Sequence, residues 1–317
     1  MAPVIAEIVR SGFVEGRHHG SAVALDPAGQ VRYERGDVSG PFLPRSCSKP
    51  LQALGMLRSG LDLDSELLAL ACGSHSGEPF HLDGVRRILR GAGLDETALQ
   101  NPAGWPLTDS AQHAVLRSGG EPSVLAMNCS GKHAAMLATC VVNDWSTHDY
   151  LSPDHPLQRA IATTLVELTG VPAEVATTDG CGAPLLSTSL TGLAHAFSVL
   201  VTSERPDESR ITAAIRQHPE LVSGTTRDER DLLVAIPGAI GKAGAEACYV
   251  VALADGAAFA LKIDDGGARA RPVVMAALLH RLGADVGDGV DTEAVRATGH
   301  APVLGGGRPI GEIRAVL

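Results

Sequence analysis

The sequence has no cluster of lysine and arginine, no stretch near twenty apolar residues and no Cys-x-x-Cys pair. Without clustered cations it offers no footprint for a phosphate backbone, and the formal net charge of -10 points the same way. A membrane span needs roughly 20 consecutive apolar residues, so none is expected. The opening residues, Met1 to Glu7, meet a charge too early for a signal peptide. The expected compartment is therefore the cytoplasm. The cysteines at 47, 72, 129, 140, 181 and 248 are widely spread. In a reducing compartment such residues are buried thiols, metal ligands or reactive groups rather than a disulfide frame. No internal repeat or low-complexity linker divides the 317 residues.

What is present is a globular composition, 44% hydrophobic and 20% charged. β-like runs gather at the two ends. They cover residues 3–10 and 20–37, the latter broken by the turn Asp26-Pro27-Ala28-Gly29-Gln30, then 247–253 and 257–263 about Asp255-Gly256. The tail from Arg308 offers a further strand. Helical spacing fills the middle at 51–57, 85–94, 134–140, 156–168, 188–200, 207–217 and 226–236, with one more helix at 269–282. Residues 67–72 read as a short helix or strand, and 101–110 and 239–244 as loops. The pattern predicts one α+β domain over 1–317. An antiparallel sheet lobe (about 1–45 and 240–317) would carry an inserted helical lobe (about 46–239).

Chemistry-bearing residues cluster in the loops. Ser46 and Lys49 lie three apart and share a face if a helix begins there, giving a nucleophile and a base. The same Ser-x-x-Lys opens the signature set of penicillin-binding proteins and class A β-lactamases, but no Ser-Asp-Asn or Lys-Thr-Gly follows. The other reading of Ser46 is a plain helix start. Cys47 is a competing nucleophile that would point elsewhere on a helix. Gly73 to Glu78 is either a catalytic loop or a turn with a helix cap. Ser130-Gly131 before an apolar run marks a helix N-terminus, aimed at an anion or merely capped. Cys129 and Cys181, grouped here with Lys132, would bind zinc through thiolates if the fold joins them, but two soft ligands are too few for a closed site and from spacing alone both cysteines read as buried thiols. His18-His19 cannot share one helix face and reads as exposed rather than metal-binding.

Six segments occur together in one order: Arg45-Ser46-Cys47-Ser48-Lys49-Pro50, Cys72 to Glu78, Asn128-Cys129-Ser130-Gly131-Lys132-His133, Asp154-His155-Pro156, Thr178-Asp179-Gly180-Cys181 and Gly241-Lys242. On these the chain resembles the rhizobial-type (class 3, inducible and thermolabile) L-asparaginases. The resemblance implies a serine β-lactamase-like or glutaminase-like fold, a cytoplasmic homodimer, and hydrolysis of L-asparagine to L-aspartate and ammonia. It places the catalytic roles on Ser46, Lys49, Ser74 and Lys242, with Ser74 paired to Lys242. It places substrate binding on Arg45, Glu78, His133 and Asp179, and a Zn2+ site on Cys129, Lys132 and Cys181. Cys47-Ser48 stands where small alanine-like residues are usual, and the stretch about 200–230 is shorter. The alternatives are a penicillin-interacting serine hydrolase or a non-catalytic zinc or amino-acid binding protein of the same fold.

Overall fold

A computed structural model describes residues 2–317. Met1, where the expected sheet lobe was bounded, lies outside the described residues. The chain opens with three strands, β1 (Val4–Arg10), β2 (Phe13–Leu25) and β3 (Val31–Arg35). Six helices follow: α1 (Lys49–Arg58), α2 (Ser65–Ala71), α3 (Pro79–Gly91), α4 (Asp109–Arg117), α5 (Ser130–Val142) and α6 (Pro156–Thr169). A small hairpin, β4 (Ala176–Thr178) with β5 (Pro184–Leu186), precedes α7 (Leu190–Thr202), α8 (Pro206–Gln217), α9 (Pro219–Val222) and α10 (Asp228–Ala235). The chain then returns through β6 (Ile240–Gly244), β7 (Cys248–Ala252), β8 (Ala258–Ile263), α11 (Ala270–Arg281), α12 (Thr292–Thr298), β9 (Ala301–Gly305) and β10 (Arg308–Ala315).

Eight of the strands form one antiparallel sheet in the order β6-β7-β8-β2-β1-β10-β9, with β3 also on β2. The first strand pairs with the last, Ala6 facing Ala315 and Ile8 facing Ile313. β2 is long enough to take β1 along its first half, β3 along its second, and β8 on the opposite edge. The fold is thus α+β, with strands from both ends of the chain joined around a helical middle. Every residue of β7 is buried, and α7 and α11 both pack on β7 and β8, so neither face of that strand meets solvent. That double cover explains an uninterrupted apolar run where one-sided strands would alternate. α7 starts where the Ser189 hydroxyl accepts from the Gly192 N–H at 2.9 Å, and it buries Leu193, Phe197 and Leu200.

Three local expectations are corrected. The expected loop 239–244 is, from Ile240 on, the edge strand β6. Gly241 and Gly244 weaken the strand signal, yet a Cβ at Gly244 would come 3.0 Å from the Pro44 carbonyl and 3.2 Å from the Cys47 N–H, so the close approach there requires glycine. His18 and His19 lie inside β2, and His18 is buried rather than exposed, with its Nδ1 2.7 Å from Asp265. α4, α9, α12, the β4–β5 hairpin and β9 were not anticipated; each is short, and α4 buries none of its residues. No helix among the described residues is long and apolar enough to cross a membrane.

Candidate active site

A cavity of about 460 Å³ opens where the 3-10 turn Arg45–Ser48, the loop after α2, the start of α5, the β4–β5 turn and the end of β6 converge. Ser46, Ser74, Cys129, Asp179 and Cys181 line it, together with Arg45. The turn that carries Ser46 is not relaxed. Arg45 has φ +49, a left-handed value that costs a residue with a Cβ roughly 1–3 kcal/mol. Glu246 (φ +58), whose carboxylate lies 3.8 Å from the Arg45 guanidinium, and Ala247 (φ +51) share that region.

Lys49 is the first residue of α1, one 3-10 turn after Ser46. Its side chain is buried, and its Nζ donates to the carbonyl of Gly73, to Ser74 Oγ at 3.0 Å and to the Asn128 carbonyl at 3.5 Å. None of these partners is a carboxylate. Burial therefore lowers the Lys49 pKa; the Cys129 sulfur opposes the shift, and Lys132 and Lys242 add to it. Ser74 is fixed in turn by its N–H, which donates to the Val222 carbonyl at 2.8 Å. The expected pairing of Ser74 with Lys242 is not what the fold provides. Lys49 takes Ser74, and Lys242 donates to Glu229 Oε1 at 2.8 Å and to the Ala243 carbonyl at 2.7 Å. The reason is electrostatic, because a wholly buried ammonium is held by the buried carboxylate beside it.

The second wall is sulfur. Gly131 permits α5 to lie against the end of α2, since a Cβ there would sit 2.9 Å from the Leu70 carbonyl. This brings Cys129 to the cavity lining beside Cys181, with Lys132 buried behind them. Lys132 Nζ donates to Cys181 Sγ at 3.2 Å. Contact with the Cys129 thiol is the largest influence on Cys181; with Lys132 and His133 it outweighs burial and lowers the Cys181 pKa far below that of a free thiol. Burial acting alone would lower Lys132, but the Cys181 and Cys129 sulfurs outweigh it and its pKa is raised. No group of three or more His, Cys, Asp or Glu among the described residues is placed to hold a metal ion, so a third donor beside the two cysteines would be Lys132. Two thiols in contact, an amine at one of them and the buried His133 ring nearby form a mixed sulfur and nitrogen donor set that suits zinc.

The remaining expected residues fall into two groups. Arg45 and Asp179 reach the cavity but already hold each other, Arg45 Nε donating to Asp179 Oδ1 at 2.7 Å. Glu78 and His133 are absent from the lining. Glu78 opens α3 and accepts from the N–H and hydroxyl of Thr225 at 3.0 and 2.6 Å. His133 Nδ1 lies 2.8 Å from the Tyr150 hydroxyl. Cys47 is buried, its thiol donating to the Lys242 carbonyl at 3.1 Å, and burial raises its pKa well above the usual thiol range. It is thus turned away from nucleophilic work. Sequence reasoning missed Arg227, Glu246 and Arg271 in the lining and Glu229 behind it. The one available signal was the acidic first turn of α10, Asp228-Glu229.

A family model described as L-asparaginase II matches residues 6–315. No curated protein sequence matches the chain. Similar solved structures include a β-lactamase from Mycobacterium bovis, with 15% identity over 88% of this chain and 96% of that one and a TM-score of 0.47. EstCE1, a hydrolase with promiscuous acyltransferase activity, shows 13% identity over 88% and 93% of the two chains and a TM-score of 0.41. Mglu shows 16% identity over 85% and 68%, with a TM-score of 0.39.

Proposed function

Because the chain belongs to the L-asparaginase II family, and so is an amidohydrolase of the asparaginase kind, we propose that it hydrolyses the side-chain amide of L-asparagine through an acyl-enzyme on Ser46. One observation carries the reading. A buried lysine with no carboxylate partner, Lys49, is hydrogen-bonded at 3.0 Å to Ser74, and Ser74 shares a cavity with Ser46. Ser46 attacks the amide carbon of the substrate. Its proton passes through the Ser74 hydroxyl to the neutral Lys49 amine. The same route returns a proton to the amide nitrogen, so that ammonia leaves and an aspartyl ester remains on Ser46. Water, deprotonated by that route, then opens the ester and releases aspartate and free Ser46. The Arg45–Asp179 pair supplies a cation and an anion for the substrate's α-carboxylate and α-ammonium.

Cys129, Lys132 and Cys181 would hold zinc in this reading, and the bound ion would act as a Lewis acid on a polar group of the substrate. Within the family we read the rhizobial-type subdivision and its serine β-lactamase-like or glutaminase-like arrangement. Support comes from Cys129 to His133 and Asp179 to Cys181, whose Cys129, Asp179 and Cys181 meet in one cavity. The sheet that joins both chain ends supports one catalytic domain with sheet and helical lobes bounded as above. Six free buried thiols support the cytoplasm as its compartment, and the homodimer rests on the resemblance.

The test is ammonia release from L-asparagine and from L-glutamine by wild type and by Ser46→Ala. Release from asparagine that disappears in the variant is the expected result. Release that survives moves the nucleophile to another hydroxyl, Ser74 first. No release from either amide by folded wild type overturns the substrate assignment.

A further inference from the structure

We propose that Glu229 is a positioning residue: it keeps Lys242 as a fixed ammonium and thereby leaves Lys49 as the lysine of the site free to be neutral. The inference rests on the reading above in which Lys49 is the base for Ser46.

The sequence holds only four lysines, at 49, 132, 242 and 262. Three of them are buried behind one cavity, against its lining residues Ser74, Cys181 and Ala243. Of the pair that could serve as base, only Lys242 has a carboxylate. Glu229 is itself fully buried, and its Oε1 accepts both from Lys242 Nζ and from the Ala243 N–H, each at 2.8 Å. The carboxylate therefore grips side chain and backbone of β6 together, at the residue where that strand enters the cavity wall. Lys49 meets only carbonyls and a hydroxyl. A buried ammonium lacking a counter-charge gives up its proton far more readily than one that is paired. Burial is the first cause that favours the neutral form of Lys49; Cys129 and Cys181 oppose it, Lys132 adds to it, and a permanent charge on Lys242 adds to it further, because nearby ammonium groups disfavour each other.

The first turn of α10 extends the same arrangement. Glu229 Oε2 is buried without a hydrogen bond and lies 3.7 Å from Nη2 of Arg227, a residue of the cavity wall. Asp228 accepts from Arg271, also in the wall, at 2.6 and 2.7 Å. Consecutive residues thus fix three cations around the substrate space. The other titratable groups facing Lys242 are Lys49 from α1, Cys47 from the 3-10 turn and Cys72 at the end of α2. Tyr249 of β7 faces Glu229. Burial raises the pKa of Cys47, Cys72 and Tyr249, which keeps all three protonated and uncharged, so none competes with Glu229 as counter-ion.

With four lysines, lysine labelled with ¹³C at Cε gives four signals, assignable by single Lys→Arg variants. In wild type the Lys242 signal is expected to stay in the ammonium position to the alkaline limit of the folded protein. In Glu229→Gln, which keeps an acceptor for the Ala243 N–H, it is expected to titrate at least about one pH unit lower, a tenfold loss of proton affinity. The Lys49 signal is expected to move in the same variant, and kcat/KM to fall at least about tenfold with a displaced pH profile. Glu229→Asp is expected to restore the charge on Lys242 and part of the rate. A neutral Lys242 in wild type overturns the proposal, as does a Lys242 signal unmoved by Glu229→Gln. Should the glutamine variant not fold, the wild-type titration and the aspartate variant decide. The spectra do not require turnover, so a failed asparaginase assay sinks the substrate reading without touching this result.

Discussion

Lys49 and Lys132 are the same residue type, equally buried behind two walls of one cavity, Lys49 at Ser74 and Lys132 at Cys181, and their acidities move in opposite directions. At Lys49 the partners are neutral oxygens, so the cost of burying charge prevails and the amine is poised to lose its proton. At Lys132 the same cost is overcome by the Cys181 and Cys129 sulfurs, and the ammonium is retained. Burial sets the default, and the charge on the nearest partner decides the outcome. The hydroxyl wall is thereby suited to proton transfer and the sulfur wall to holding a charge or a metal.

The sharpest way to break this contrast is Lys49→Arg, which keeps a cation but cannot release its proton. We expect loss of about 10³-fold in kcat/KM. In wild type the rate should rise with pH as Lys49 passes its lowered pKa, because only the neutral amine is a base; the arginine variant should show no such rise. A pH–rate profile of both checks this, and an unchanged acid limb would show that Lys49 is not the base. Lys132→Met addresses the other wall. Metal analysis should find zinc affinity reduced by at least the roughly 100-fold upper bound for losing an outer-shell partner, with the acid limb of the profile unmoved. Equal displacement of that limb by both variants would erase the distinction between the walls.

Smaller effects sharpen the boundary of the site. Asp179→Asn leaves Arg45 without its carboxylate at 2.7 Å. We expect KM for asparagine to rise about tenfold with kcat little altered, as steady-state kinetics would show. Asp64→Ala lies outside the contrast. Its carboxylate caps α2 by accepting from the Leu67 N–H at 2.9 Å. Its loss should cost about 1 kcal/mol in denaturant unfolding and leave turnover unchanged. A rate loss there would mean that the end of α2, which carries Ser74, is less rigid than it looks.

Much of this was readable before folding. The hairpins about Asp26–Gln30 and Asp255-Gly256 announce themselves through local turn chemistry, and the strands at both ends and helices between gave the α+β class. The site motifs were also local, since Ser46, Ser74, Cys129, Asp179 and Cys181 each sit in a short polar loop beside an apolar run. What the sequence concealed were the partners. Glu229 precedes Lys242 by a helix and a turn, and nothing in either segment says that they meet. The resemblance paired Ser74 with Lys242, whereas the fold gives Ser74 to Lys49 and Lys242 to Glu229, distances that the sequence does not carry. The strand 240–244 was hidden by glycines whose purpose, a close approach to the Ser46 turn, exists only in three dimensions.

The pairing of β1 with β10 sets a timetable for the growing chain. During synthesis the Ser46 turn emerges long before β6 to β8, so the nucleophile is made while one wall of its cavity does not yet exist. β1 meanwhile waits for a partner about three hundred residues away with one edge open, the kind of long-range closure that folds slowly and invites association with other chains. Activity should therefore appear abruptly, late in synthesis, and a nascent chain stalled in the helical middle would depend on chaperones while lacking any hydrolytic capacity.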